Sequence, residues 1–126
     1  MSEGSLWGDL STLRSIRTPK TILVEQADIL NTTTEGVIRA QVTANQNHGN
    51  LTYTLSLVAP VLNNYAYTVC VVTHDINVYP CKIFDSQANA WLACQDEGEL
   101  KEKLGAILSS EKTRHVIEAL LSQSQS

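Results

Sequence analysis

The stretch TVCVVTHDINVYPCKIF, residues 68–84, sets His74 and Asp75 between Cys70 and Cys81, and a third thiol, Cys94, follows. Thiol, imidazole and carboxylate are the groups that hold zinc or make an activated nucleophile. Zinc sites take their ligands at short fixed spacings, such as CxxC. Here Cys70, His74, Cys81 and Cys94 are 4, 7 and 13 positions apart, with no CxxC among them. A nucleophilic thiol needs a cation or a helix N-terminus beside it. Cys70 stands among Val69, Val71 and Val72, surroundings that raise a thiol pKa. Cys94 precedes a helix start, but Asp96, Glu97 and Glu99 surround it with negative charge. The expectation is therefore no catalytic residue, no metal and no cofactor. Asp and Asn bond their own backbone and tolerate positive φ, so HDIN reads as a turn between two strands.

The register around that turn is open. If His74-Asp75 is a two-residue turn, Cys70 pairs with Tyr79, and Cys81 lies diagonal to it on the same face. If the loop is Asp75-Ile76-Asn77, the two cysteines move to opposite faces.

No other familiar site is written in the chain. It has no GxGxxG, no phosphate-binding P-loop and no GxSxG elbow. The carboxylates Asp96, Glu97, Glu99 and Glu102 alternate with Lys101 and Lys103 at helical spacing, as on a solvated face. The most plausible polar-aromatic contact patch is VLNNYAY, with Asn63, Asn64, Tyr65 and Tyr67; His74 and Tyr79 complete the candidate binding residues.

The elements that carry these residues follow from periodicity. Leu6, Trp7, Leu10, Leu13 and Ile16 recur at near-helical spacing, with Ser5 as a candidate N-cap. Thr18-Pro19 opens a second helix carrying Ile22, Leu23, Gln26, Ile29 and Leu30 on one side. After Gly36 the period becomes two: VIRAQVTA and LTYTLSLVA flank the turn cluster NQNHGN as a hairpin. YAYTVCVVT and NVYPCKIF supply two further strands, and DSQANAWLACQ connects them to a helix capped by Asp96. Its face is Leu100, Leu104, Ile107 and Leu108. A last helix, capped by Ser109 or Ser110, has the stripe Val116, Ile117, Leu120 and Leu121.

The 126 residues, 43% hydrophobic and 17% charged, suit one ordinary globular domain. A formal net charge of -4, with nine scattered basic residues, argues against nucleic acid and against an anionic membrane surface. Residues 1–17 show no basic region followed by an apolar core, and the three cysteines form an odd set. Both point to a reducing cytoplasm. The sequons at Asn31 and Asn50 carry no weight without export.

The expected fold is α+β: a four-stranded antiparallel meander, an N-terminal helical region and two C-terminal helices packed on one face. Residues 1–17 form a helical arm of that domain, 18–122 its body and 123–126 a disordered tail. The sequence points to a non-catalytic cytoplasmic interaction or scaffold domain, self-associating or binding a protein partner. Its profile is similar to that of small acidic α+β dimers that chaperone secreted proteins. The competing expectation is a small-molecule-binding domain or small hydrolase. Its pocket would lie between sheet and helices, lined by Tyr53, Tyr65, Tyr67, His74 and Tyr79.

Overall fold

The structure is a computed structural model and describes residues 6–86 and 88–125. Ser5 and the last residue of the tail, Ser126, lie outside them. Thr18 and Pro19 start the first long helix, α1 (Pro19–Thr33), where the Thr18 hydroxyl accepts from Thr21 N at 3.2 Å. Ile22, Leu23 and Ala27 are buried on it.

Five strands follow: β1 (Arg39–Asn47), β2 (Asn50–Ala59), β3 (Tyr65–His74), β4 (Cys81–Asp85) and β5 (Ala90–Cys94). They form one antiparallel sheet in chain order. This is a meander of five strands, one more than expected. The additional strand, β5, occupies the segment read as a connector. Its inward alternation of Ala90, Leu92 and Cys94 is short and alanine-rich, and alanine is a weak strand former.

Asn47 pairs with Asn50 across a His48-Gly49 turn whose φ values are 51° and 81°. Two left-handed residues match the twist of a hairpin, and glycine takes that conformation without a Cβ penalty. Between β2 and β3 the register shifts after the pair Leu55–Cys70, so that Ser56 meets Thr68. Val69 is the extra residue of this bulge, and Val69 and Cys70 are consecutive yet both buried.

Helices α2 (Glu97–Leu108) and α3 (Glu111–Ser124) close the chain. Asp96 caps α2 by accepting from Glu99 N at 2.9 Å, and Ser110 caps α3 by accepting from Thr113 N at 3.2 Å. The last helix runs to Ser124 and so takes up part of the expected tail. The core joins Ile22 and Leu23 of α1, Leu55, Leu57, Val72 and Ile83 of the sheet, and Leu100 and Leu104 of α2. The opposite sheet face shows Arg39, Gln41 and Thr43 of β1. Farther across it, Thr52 and Thr73 bond through their hydroxyls at 3.2 Å, and Phe84 meets Trp91 edge-on at 5.3 Å.

The start of the β1 edge is not bare. Asn31, near the end of α1, accepts from Ala40 N at 2.7 Å and donates to Ala40 O at 3.5 Å. Thr34 likewise donates to Ile38 O at 2.9 Å. The end of α1 thus stands in for a neighbouring strand over this stretch.

The helix expected over residues 5–17 contracts to a 3-10 turn, Leu10–Thr12, with Asp9 as its cap. A short isolated helix is marginal in water without a packed face. No residue of the turn is buried, so nothing supplies one. No helix among the described residues is long and apolar enough to cross a membrane.

Candidate functional site

The β3–β4 connection matches neither expected register. Thr73 pairs with Lys82 and Cys70 with Asp85, leaving residues 75–80 as the loop. Asp75 shapes its start, its carboxylate accepting from Asn77 N at 2.9 Å, which is the turn chemistry expected of HDIN. Val78 holds a φ of 73°, a left-handed conformation that a β-branched residue rarely takes. The longer loop keeps Cys70 and Cys81 on the same sheet face, but about 13 Å apart along the strands.

The direct neighbour of Cys81 is Cys94, its cross-strand partner on β5. Sequence reasoning missed this pair because β5 was not visible as a strand. All three thiols are free and buried. Burial pushes Cys70 and Cys81 up to about 12, and burial also raises Cys94. For Cys81 the neighbouring Cys94 adds to the rise. These are packing thiols, protonated at neutral pH.

His74 is buried beside Tyr53, with ring centroids 5.6 Å apart. Its Nδ1 lies 2.7 Å from Asp75 O, so Nδ1–H donates to that carbonyl. Among the described residues Nε2 has no hydrogen-bond partner. Among the described residues no three His, Cys, Asp or Glu side chains are grouped closely enough to hold a metal ion.

The six candidate binding residues fall in three places. Tyr79 is half-buried, and its hydroxyl donates to Arg17 O at 2.8 Å. Burial first, then the nearby Cys81 and Glu97, lift the Tyr79 phenol to about 12. Arg17 also pairs with Glu25 and, at 3.3 Å, with Glu97, so the root of the N-terminal arm is fixed to the body. His74 ends β3, about 30 Å along the strand from Tyr65 at its start. Asn63 and Asn64 form an exposed left-handed turn, at φ 60° and 59°. Tyr65 and Tyr67 follow it and line a groove of about 410 Å³ against His115, Val116, Leu120 and Gln123 of α3. The expected pocket set of Tyr53, Tyr65, Tyr67, His74 and Tyr79 therefore does not converge on one cavity.

A second concavity does lie between sheet and helices, but none of the residues expected to line a pocket there lines it. Between α1, the sheet and α3 lies a trough of about 190 Å³, lined by Leu30, Ala40, Leu55, Leu57, Leu108 and Ile117. Ile29 stands at its lip, 57% exposed. The signal was present in the α3 stripe, which is too wide for what covers it. Leu120 is buried, whereas Val116, Ile117 and Leu121 are only half-buried. In α1 the expected inward residues Gln26 and Ile29 are exposed, and Ala27 is buried instead.

The arm ahead of Arg17 inverts the usual rule. Leu6, Trp7, Leu10, Leu13 and Ile16 are 98%, 84%, 50%, 70% and 58% exposed. The chain matches no family model, no curated protein and no solved structure.

Proposed function

We propose that this chain is a small protein-interaction domain that self-associates through its N-terminal arm. One observation carries the reading: Leu6, Leu10, Leu13 and Ile16 of the arm are exposed and lie outside the buried core of the body. Burying one such side chain is worth about 1.5–3 kcal/mol, so a surface that covers the arm is strongly favoured. The same arm would serve a scaffold, or a chaperone-like holder of another chain. The net charge of -4 disfavours nucleic acid and anionic membrane partners. We take the compartment to be the cytoplasm, a reading supported by three unpaired cysteines buried as thiols.

Light scattering during size-exclusion chromatography at rising concentration tests this. The wild type is expected to move toward the mass of a dimer. A Leu10→Asp/Leu13→Asp variant should stay monomeric with an unchanged circular dichroism spectrum. A wild type that remains monomeric at the highest concentration reached overturns the reading.

The trough between α1 and α3 favours a second reading, binding of a small apolar molecule, because aliphatic side chains line it from both layers. The groove beside Tyr65 and Tyr67 adds phenol, imidazole and amide groups at a separate place.

A further inference from the structure

We infer that Cys81 and Cys94 form a redox-modifiable dithiol. A small disulfide of the glutathione type converts the pair to an intramolecular disulfide that clips β5 to β4, while Cys70 stays a thiol.

The first argument is geometric. Cys81 opens β4, Cys94 ends β5, and the two are directly opposed across the antiparallel ladder. Opposed residues in such a ladder stand with their Cα atoms about 4.5–5.5 Å apart and their side chains on one face. A disulfide spans about 4.4–6.8 Å between Cα atoms, so the two strands are already within bonding span. Both side chains belong to the core, and the two thiols hydrogen-bond each other. Cys70 offers no such closure. Its opposed residues are Leu55 and Asp85, and it lies about 13 Å along the strands from Cys81.

The second argument is access. In the closed sheet Cys81 is 1% exposed and Cys94 0%. Yet β5 is an edge strand of five residues, paired to β4. A short edge strand opens locally more readily than a central one. Opening of β5 bares the Cys94 thiol and the side of Cys81 that faces it. Cys70 stays covered, because β3 is held between β2 and β4.

The third argument is the order of attack. Burial raises Cys94, but the hydrogen bond from Cys81 and then the Lys103 ammonium act against that rise, ahead of Glu99 and Asp96. For Cys81, burial, the neighbouring Cys94 and the hydrogen bond it donates all raise the thiol, to about 12. Cys94 therefore gives up its proton to solvent and attacks first. Its Sγ bonds to one sulfur of the small disulfide, whose S–S bond breaks, and one thiolate leaves and takes up a proton. Cys81, deprotonated in turn, attacks Cys94 Sγ in the mixed disulfide and expels the second thiolate. Two protein thiols lose two electrons and two protons, and the small disulfide gains both to become two thiols. In a reducing compartment the exchange runs backward and the pair stays open.

The bond forms behind the root of the arm. Tyr79, just ahead of Cys81, interacts with both thiols, with Glu97 and with Arg17. Closing the pair fixes the strand end from which Tyr79 reaches Arg17 O.

Intact-mass measurement and peptide mapping of the folded, full-length protein after incubation with oxidised glutathione test the proposal. The wild type should lose two hydrogens, yield a linked Cys81–Cys94 peptide, and leave Cys70 open to alkylation once unfolded. Dithiothreitol should reverse the change. Cys70→Ala should oxidise as the wild type does, and Cys81→Ala should stop at one glutathione on Cys94. In the oxidised wild type, amide exchange across residues 90–94 should slow about tenfold or more, because the ring restrains the opening of β5.

A linkage through Cys70, a disulfide between chains, or bound glutathione without an internal bond overturns the pairing. A folded wild type that stays fully reduced, under conditions that modify the urea-unfolded chain, overturns the proposal as a whole. A Cys81→Ala protein that takes no glutathione, beside a Cys94→Ala protein that takes one, overturns the order of attack. Where a variant fails to fold, the linkage map of the wild type decides alone.

Discussion

The β3–β4 hairpin and the N-terminal arm carry opposite kinds of residue, and each is found where the other kind belongs. The hairpin holds two of the three thiols, Cys70 and Cys81, and an imidazole, and they are buried. The arm holds Leu6, Trp7, Leu10, Leu13 and Ile16, and they are exposed. Reactivity and stickiness are thus set by surroundings and not by residue type. A thiol in a dry core is a small hydrophobe. A leucine in water contributes none of the burial that its side chain could supply.

Three measurements sharpen this contrast. The largest effect separates body from arm: Leu100→Ala should cost about 2–5 kcal/mol in urea unfolding, because Leu100 is fully buried under the sheet. Leu13→Ala in a dilute monomer should stay within about 0.5 kcal/mol. Equal losses at the two positions would erase the distinction between a complete body and a free arm.

The second effect is alkaline. Cys70 and Cys81 ionise at about 12 in the fold, against an ordinary value of 9.0. Above pH 9 the unfolded chain releases thiol protons that the folded chain keeps. Stability is therefore full below pH 9 and falls as the pH rises toward 12. A Cys70→Ala/Cys81→Ala protein should lose less stability over that window, as followed by urea midpoints. A decline of unchanged steepness would show that these thiols are not what resists ionisation.

The smallest effect is at the joint between the two regions. Tyr79→Phe removes the hydroxyl that donates to Arg17 O. It should cost about 0.5–1.5 kcal/mol by thermal unfolding. It should also speed amide exchange near Thr18 without changing the core.

Much of the fold was legible in the sequence. Thr18-Pro19, Asp96 and the pair Ser109-Ser110, of which Ser110 is the cap, marked three helix starts because each cap is a local bond between neighbours. The β1–β2 hairpin was legible because runs of eight and nine residues of period two outlast chance. β5 and the arm were not. A five-residue strand such as β5 depends on β4 beside it, and the arm's helical spacing does not hold a helix while its side chains stay exposed. The β3–β4 register was hidden for a related reason. Tyr79 leaves the ladder to reach Arg17, 62 residues away, and no local pattern announces that contact.

The site was less legible than the fold. Asn63, Asn64, Tyr65 and Tyr67 do stand together, and Tyr65 and Tyr67 line a groove. Its other wall, however, comes from His115 and Gln123 at the far end of the chain. His74 and Tyr79 lie elsewhere. Concavities belong to pairs of distant elements, and a single strand shows only one wall.

The amide of Asn31 bears on what kind of assembly this chain can make. By occupying both backbone groups of Ala40, it ends any incoming ladder there and leaves only Val42, Ala44 and Gln46 facing outward. An incoming strand is thereby confined to the far part of β1, short of the strand's full nine residues. The helix that precedes the sheet thus guards part of the border it leads into, as a covering element does for an exposed edge.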